Sequence, residues 1–251
     1  MNNIKLVQIS DSHLFAEPER LHCGANVYQN LKQVLHYISC IDHVDAIIFT
    51  GDLTQDHSAA SYQRFNELVE AAELTCPLYY LAGNHDDEQT MNTELNSKVI
   101  SSNKEIQFNN WQVQLIDSKS ETPAGHINDV SLTKAVKISA ENKYNVLFMH
   151  HHPVDVGYFI DKHGLTNQQQ FWQSINQINN MQAIFCGHVH RGCTINKGAL
   201  NNIAVHTCPA TSIQFDPSQN TVSALDVGPG MRIITLHADG KITSFLKYLE
   251  F

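Results

Sequence analysis

The stretch VLFMHHHP, residues 146–153, begins as a continuous apolar run and ends in three histidines. A short apolar run bounded by polar residues is typical of a strand that is covered on both faces. Successive side chains on an extended chain alternate in direction, so at most two of His150, His151 and His152 are expected to point at one place. The stretch therefore predicts a buried strand whose carboxyl end carries one or two functional imidazoles.

Eight further runs rich in Val, Ile, Leu, Phe and Tyr share this design and predict strands. They cover residues 4–9, 46–50, 78–82, 113–116, 183–186, 202–207, 232–237 and 242–246. Amphipathic patterns between them predict helices over residues 26–39, 58–72 and 167–178, and Asp56 or Ser58 caps the second. Strands that alternate with helices predict an α/β fold, and the part of the chain from about residue 201 is expected to add antiparallel strands to a sheet.

The composition, 42% hydrophobic and 16% charged over 251 residues, suits one domain over residues 1–251 with a β-rich part from about residue 201. No apolar run approaches the roughly 18 residues that a membrane span needs. The N-terminal stretch MNNIKLVQIS lacks the pattern of a signal peptide. We therefore expect a cytoplasmic protein whose six cysteines are reduced.

The net charge of −9 argues against a nucleic-acid partner, because the chain has only 16 lysines and arginines and lacks a basic footprint. A small anionic substrate is still allowed, since the local charge of a bound metal can outweigh the sign of the whole protein. The oligomeric state is left open, and a homodimer is compatible with the sequence.

Histidine is unusually frequent, with 15 residues, and several histidines follow the predicted strands. Five strands end in side chains of the kinds that bind metals. These are Asp11 and His13, Asp52, Asn84 and His85, the histidine triplet His150–His152, and His188 and His190. Ligands of open α/β folds bind beyond the carboxyl ends of the strands, so these side chains are expected to meet at one edge.

The spacing within two of these groups favours convergence. Asp11 and His13 are two residues apart, as are His188 and His190. On an extended backbone the members of each pair would face the same way. A glycine precedes the candidates at three strand ends, where it lets the backbone turn sharply or approach another segment closely.

The number of candidate ligands predicts two metal ions. Two carboxylates, one amide oxygen and at least four imidazoles are too many for one tetrahedral ion. Two ions that share a carboxylate would use them all. Mixed nitrogen and oxygen ligands without thiolate favour Mn, Fe, Zn or Co over Ca and Mg. Each motif alone is a weak signal, and the prediction rests on their occurring together at strand ends.

The order D-x-H, G-D, G-N-H-D, H-H-P and G-H-x-H, from Asp11 to His190, resembles the calcineurin-like metallophosphoesterase superfamily. That resemblance implies two mixed β-sheets packed as a sandwich and flanked by helices, in four layers. A narrower resemblance, over nearly the whole chain, is to the class III cyclic nucleotide phosphodiesterases, the bacterial 3′,5′-cyclic AMP phosphodiesterase group. It is carried by stretches such as HHHPVDVG and CPATSIQFDP, whereas Cys23 and residues 158–162 depart from the pattern.

The resemblance also implies a ligand set in which Asp52 is shared between two ions, with Fe and Mn favoured and Zn or Co as alternatives. One ion takes Asp11, His13, Asp52 and His190, and the other takes Asp52, Asn84, His188 and one histidine of the triplet. Spacing alone leaves His150 and His151 open as that histidine. The resemblance favours His150, the first histidine of its block, while His152 precedes a proline and is expected in a loop.

A two-metal site activates water for in-line attack on phosphorus, so no side-chain nucleophile is required. The resemblance implies that Asn84, His85 and His190 contact the substrate. His85 would assist the leaving oxygen as the catalytic histidine. Asp86 either orients the imidazole of His85 or caps the loop. His22 lies in a loop that could reach the site.

The predicted function is hydrolysis of 3′,5′-cyclic AMP to 5′-AMP by attack of a metal-bound hydroxide. The alternative is a broader metallophosphoesterase that acts on other phosphodiesters, 2′,3′-cyclic nucleotides or nucleotide phosphomonoesters. A binding module of the same fold without catalysis would lack some of the metal ligands. Every expected ligand position of this sequence carries a metal-binding residue, which argues against such a module.

Overall fold

The structure is a computed structural model that describes residues 2–139, 142–196 and 203–250. The strands are β1 (Ile4–Ile9), β2 (Ala46–Phe49), β3 (Leu78–Tyr80), β4 (Ile100–Ser101), β5 (Glu105–Phe108), β6 (Trp111–Leu115), β7 (Tyr144–Met149), β8 (Met181–Cys186), β9 (Cys193–Ile195), β10 (Ala204–Thr207), β11 (Gly230–Leu236) and β12 (Ile242–Tyr248). The helices are α1 (Val27–Ser39), α2 (Ala59–Ala71), α3 (Glu88–Glu94), α4 (Asp129–Ile138) and α5 (Gln168–Ile175), with a 3-10 helix over Phe159–His163.

The strands form two sheets of mixed direction. The first has the order β12-β11-β1-β2-β3-β4, in which β1 to β4 are parallel and β11 and β12 are antiparallel. The second has the order β5-β6-β7-β8-β10-β9, with antiparallel strands only at its two edges. Two mixed sheets are what the family resemblance implied, and this part of the prediction is confirmed.

The buried side chains define four layers. Leu6 and Ile48 of the first sheet pack between the sheets against Trp111 and Phe148 of the second. Helices α1 and α2 cover the outer face of the first sheet, and α4 and α5 cover the outer face of the second. None of the helices in the described part of the chain is long and apolar enough to cross a membrane.

One expectation about the strands needs correction, and several short elements were not predicted. The late chain adds antiparallel β11 and β12 to the first sheet as predicted, but β10 pairs in parallel with β8 in the second sheet. The predicted start of that strand, at residue 202, lies outside the described residues. The pattern also missed α3, α4, β4, β5 and β9, because each is short or buries few side chains; α4, for example, buries only Leu132 and Ala135. Ser58 caps α2 by accepting a hydrogen bond from the amide of Ser61.

The topology brings the ends of five strands to one place. Strands β1, β2 and β3 are parallel neighbours in the first sheet, and β7 and β8 are parallel neighbours in the second. The carboxyl ends of β1, β2 and β3 therefore share one edge of the first sheet, and those of β7 and β8 share one edge of the second. The hydrogen bond from His150, after β7, to the carbonyl of Thr50, after β2, shows that these two edges lie together.

Candidate metal centre

The loops after β2, β3, β7 and β8 place four side chains around one point. His150 Nε2 lies 3.1 Å from Asn84 Oδ1, 3.2 Å from His188 Nδ1 and 3.4 Å from Asp52 Oδ2. These atoms come from both sheets and all carry electron pairs that can bind a cation.

A second group of side chains meets beside the first. His13 Nε2 lies 3.0 Å from His190 Nε2 and 3.7 Å from Asp52 Oδ2. His190 Nε2 is also 3.4 Å from Asp11 Oδ1. The oxygen Asp52 Oδ2 thus belongs to both groups, which is the position of a bridging ligand.

The hydrogen bonds on the far side of two imidazoles show that this second group fits a cation. The Nδ1–H of His13 donates to Gln55 Oε1 at 2.7 Å, and the Nδ1–H of His190 donates to the carbonyl of Ile213 at 2.9 Å. Each Nε2 is then left with a lone pair, and the two lone pairs face each other. A metal ion would satisfy both, and such outer hydrogen bonds are the usual way that ligating histidines are oriented.

The structure distinguishes His150 from His151. The Nδ1–H of His150 donates to the carbonyl of Thr50 at 2.7 Å, and its Nε2 faces the other candidate donors Asn84 Oδ1, His188 Nδ1 and Asp52 Oδ2. Both nitrogens of His151 are engaged, with Ser118 Oγ at 2.9 Å and the carbonyl of Pro123 at 3.2 Å. The geometry therefore favours His150.

All three rings of the histidine triplet pack against the ring of His188, with centroid distances of 4.9, 4.7 and 5.6 Å along the sequence. The alternation of side chains on a strand does not apply to the triplet, because β7 ends at Met149 and the three histidines lie beyond the extended segment. His152 Nε2 lies 3.2 Å from Asp161 Oδ1, so His152 contacts Asp161 and belongs to neither group of candidate ligands.

The backbone at the site is left-handed where the sequence predicted extended chain. Five of the converging residues have φ angles between 46° and 64°, namely Asp11, His13, Asp52, His188 and His190. The D-x-H and H-x-H pairs converge as expected, but through left-handed turns and not through an alternating strand. Such conformations cost of order 1–3 kcal/mol each and concentrate at functional sites.

Two glycines allow the loops to lie against each other as expected. Gly51 has a φ of 95°, and a Cβ there would lie 2.5 Å from the amide nitrogen of Gly83. A Cβ on Gly83 would lie 2.2 Å from Asp52 Oδ1. A side chain at either position would therefore push apart the loops that carry Asp52 and Asn84.

The electrostatics of the site favour a cation. Burial opposes ionisation of Asp52, but His150 holds the pKa of Asp52 well below its usual range. Burial likewise opposes protonation of His150, yet Asp52 and Asp11 outweigh it and raise the pKa of His150 to about 9. Burial lowers the pKa of His13 and of His188, which keeps both imidazoles neutral. A metal ion bound here would replace the proton that Asp52 and Asp11 hold on His150, and neutral imidazoles beside a carboxylate are a donor set for transition metals.

His85 lies at the mouth of the site. Its backbone N–H donates to Asp52 Oδ1 at 2.8 Å, and its ring stands edge-on to His13 at a centroid distance of 4.9 Å. His57 stacks on the other side of the ring at 5.9 Å. His22, which the sequence placed within reach, stacks on His13 at 5.2 Å. Burial lowers the pKa of His85, so the imidazole is neutral near pH 7.

Asp86 caps the loop, which was one of its two predicted roles. Its carboxylate accepts hydrogen bonds from the amides of Leu53 and Gly83 at 3.0 and 2.9 Å, and from Thr54 at 3.3 Å. Burial raises the pKa of Asp86 to about 7. The alternative role of orienting His85 is not observed, since His85 Nδ1 has no hydrogen-bond partner among the described residues.

Several residues that shape the site were missed by the sequence analysis. Gln55 and the carbonyl of Ile213 fix the two imidazoles described above, and Phe215 lies parallel to the ring of His190 at 3.9 Å. Gln55 and Phe215 lie in GDLTQD and SIQFDP, close to other recognised motifs. Their proximity in sequence is a usable signal, but it does not specify their contacts.

A model of the calcineurin-like phosphoesterase family matches residues 4–192. The chain belongs to this family. It is 49% identical over 245 residues to a protein of Colwellia psychrerythraea named a probable cyclic nucleotide phosphodiesterase, covering 96% of this chain and 93% of that one. It is 31% identical over 247 residues to a protein of Escherichia coli K12 named 3′,5′-cyclic adenosine monophosphate phosphodiesterase CpdA, covering 96% and 88%.

Two solved structures of phosphatases share the fold of this chain. A dimetal phosphatase from Danio rerio aligns with a TM-score of 0.62 at 11% identity, over 92% of this chain and 95% of that one. A purple acid phosphatase from yellow lupin aligns with a TM-score of 0.57 at 14% identity, over 100% of this chain and 54% of that one. The predicted fold class is confirmed, and at these identities the likeness concerns the fold alone.

Proposed function

We propose that this protein is a dinuclear metal-dependent phosphodiesterase that hydrolyses 3′,5′-cyclic AMP to 5′-AMP. The observation that carries the proposal is the position of Asp52 Oδ2, which is common to two groups of metal-type donors. The names of the relatives support the substrate, because two of them are cyclic nucleotide phosphodiesterases by name.

The proposed ligand sets follow the two groups of converging atoms. Asp11, His13, Asp52 and His190 would hold one ion, and Asp52, Asn84, His150 and His188 would hold the other. When bound, two such ions activate water and neutralise charge on the phosphoryl oxygens. We propose Fe and Mn as the metals, with Zn or Co as alternatives, because the donors are nitrogen and oxygen without thiolate.

The remaining roles fall to residues that line the cavity beside the ligands. His85 is proposed as the catalytic histidine, since its backbone is fixed by Asp52 while its ring borders the cavity. As a neutral imidazole it offers an N–H to the leaving 3′ oxygen of the ribose, which benefits from protonation. Asn84 and His190 also line the cavity and are proposed to contact the substrate.

The proposed location is the cytoplasm. All six cysteines are free in the structure, which suits a reducing compartment. The absence of a nucleic-acid partner, expected from the net charge, and the homodimer that the sequence allows both remain predictions.

A substrate panel tests the function. The chain is purified free of metal, reconstituted with Mn(II) and assayed on 3′,5′-cyclic AMP, 2′,3′-cyclic AMP, a glycerophosphodiester and 5′-AMP, with products separated by chromatography. We expect 5′-AMP as the product of 3′,5′-cyclic AMP. If that product does not form while another substrate turns over, the broader phosphoesterase alternative replaces the proposal.

A further inference from the structure

The cavity beside the candidate metal centre has a volume of about 210 Å³ and is lined by side chains of two chemical kinds. The first kind comprises His85 and the proposed ligands His13, Asp52, Asn84, His188 and His190. The second kind, which we call the apolar end, comprises Pro123, Phe159, Ile160, His163, Phe215 and Val222. Hydrolysis at the phosphoryl group uses the first kind and gives the apolar end no role.

The apolar end is a rigid platform of aromatic rings. Phe215 is buried, and its ring covers one face of His190. Phe159 packs against Phe215 with ring centroids 5.2 Å apart and is itself only half-buried, so part of its ring is open to the cavity. Both rings belong to a small hydrophobic cluster that includes Ile160 and Ile213. Such a cluster fixes the aromatic rings before any ligand arrives.

The backbone beneath the platform is also held. Phe159 begins the 3-10 helix, and Asp161 in that helix accepts hydrogen bonds from the amides of Val156 and Gly157, each at 2.8 Å. On the far side of the helix, the amide of Leu165 donates to the carbonyl of His152 at 3.1 Å, so the segment that carries Phe159 is held before and after it. It does not depend on a ligand to take up its position.

The order of the ring contacts leading away from the proposed ligands suits a nucleotide. Phe215 touches His190, a proposed ligand, and Phe159 is the next ring outward. A phosphate and a base are separated by one ribose. A cyclic nucleotide whose phosphate lies at the metal centre would therefore place its base against Phe159, near the partly exposed Val222.

We infer that the apolar end is a nucleobase subsite in which the base stacks on Phe159. This inference rests on the proposed function and adds how the substrate is held. Among the described residues that line this end, only His163 has a polar side chain. Stacking accepts every base because each has a π face, whereas strong discrimination needs hydrogen bonds to the base edge. The subsite therefore binds adenine and guanine nucleotides with similar affinity.

Calorimetric binding to the Mn-loaded protein tests the subsite without depending on turnover. The probes are 5′-AMP, 5′-GMP and ribose 5-phosphate, which lacks the base. We expect 5′-AMP to bind about 10-fold to 100-fold more tightly than ribose 5-phosphate, as stacking of one base predicts. We expect 5′-GMP to lie within about tenfold of 5′-AMP.

The variant Phe159→Ala is expected to remove most of the preference for 5′-AMP and to leave ribose 5-phosphate binding unchanged. Phe159→Trp keeps an aromatic face and should retain the preference, and Phe159→Leu provides a bulky non-aromatic variant if alanine impairs folding. Phe245→Ala is the matched control, because Phe245 is 58% exposed on β12 and lines no part of this cavity. In turnover of 3′,5′-cyclic AMP, Phe159→Ala should raise KM about tenfold or more with kcat within about twofold.

The outcomes separate the subsite from the proposed function. A wild-type protein that binds ribose 5-phosphate as tightly as 5′-AMP overturns the subsite, as does a preference that survives both Phe159→Ala and Phe159→Leu. A 5′-AMP affinity more than about 100-fold above that of 5′-GMP overturns the stacking mode of recognition. A protein that prefers 5′-AMP but does not hydrolyse 3′,5′-cyclic AMP supports the subsite and contradicts the proposed function.

Discussion

Among the buried polar groups that the structure describes, those around Arg232 and those of the candidate metal centre differ in how their hydrogen-bonding needs are met. Arg232 on β11 is only 2% exposed, and its guanidinium donates to the carbonyls of Thr207 and Cys193, both at 2.8 Å, and to Ser244 Oγ at 2.9 Å. At the metal centre, by contrast, the nitrogens of His13 and His190 present lone pairs to each other.

The difference separates buried polar groups that stabilise the fold from buried polar groups that bind a ligand. A buried donor that meets only acceptors is complete, and it stabilises the fold without any ligand. A cluster in which acceptors face acceptors is incomplete without a cation. Changes in the Arg232 cluster should therefore act on stability, while changes in the metal centre should act on metal binding and turnover.

The largest effect is expected from Asp52→Asn, which keeps the shape of the side chain but removes the shared charge. Loss of an outer partner of a metal ligand typically costs about 10-fold to 100-fold in affinity or activity, so loss of the shared ligand should exceed about 100-fold. The measurements are kcat for 3′,5′-cyclic AMP and the number of Mn ions bound per chain. Activity within tenfold of wild type would contradict a shared role for Asp52.

The next test compares His150→Ala with His151→Ala. The Nε2 of His150 faces the other donors of one proposed ligand set, so its removal should reduce the bound Mn from two ions per chain to one. The nitrogens of His151 are held by Ser118 and Pro123, so its removal should retain two ions and lower the free energy of unfolding by about 1–3 kcal/mol. Metal analysis and urea unfolding report the two quantities. The reverse pattern would assign the ligand to His151.

Arg232→Met tests the cluster around Arg232, in which every buried donor meets an acceptor. The substitution leaves the carbonyls of Thr207 and Cys193 without their donor, and we expect a loss of about 2–4 kcal/mol in the free energy of unfolding. Mn binding and kcat per folded molecule should stay as in wild type. Arg64→Met is the control, because Arg64 forms a surface pair with Glu67 whose loss should cost less than about 1 kcal/mol. A loss of Mn binding in Arg232→Met alone would refute the separation.

The smallest effect is a pH dependence at His206, which lies beside the Arg232 cluster. Burial, and then the charge of Arg232, lower the pKa of His206 to about 4, against about 6.5 in the unfolded chain. The unfolded state therefore gains a proton first, and stability contributed by neutral His206 is lost as the pH falls from about 6.5 to about 4. Urea unfolding of wild type and His206→Gln at pH 7 and pH 4.5 measures this. An equal fall in the free energy of unfolding of both proteins would show that His206 does not contribute to the pH dependence of stability.

The strand ends of the site were predictable because each apolar run stops where a metal-type residue follows, as at the end of β8 before His188. The left-handed turns were not predictable, since contacts between distant segments hold them: the amide of Asp11 donates to the carbonyl of Gly51 at 2.8 Å. The sequence likewise could not separate His150 from His151 by spacing. That distinction lies in their hydrogen bonds to Thr50 and to residues 118–123, all far along the chain.

The most direct test of the account is anomalous diffraction from a crystal of the Mn-loaded protein. We predict two Mn peaks roughly 3.5–4 Å apart, as in other two-metal sites, with Asp52 Oδ2 between them. His150 Nε2 should bind one ion, and His13 Nε2 the other. A single peak, or two ions that share no oxygen of Asp52, would contradict the dinuclear centre on which the proposed function depends.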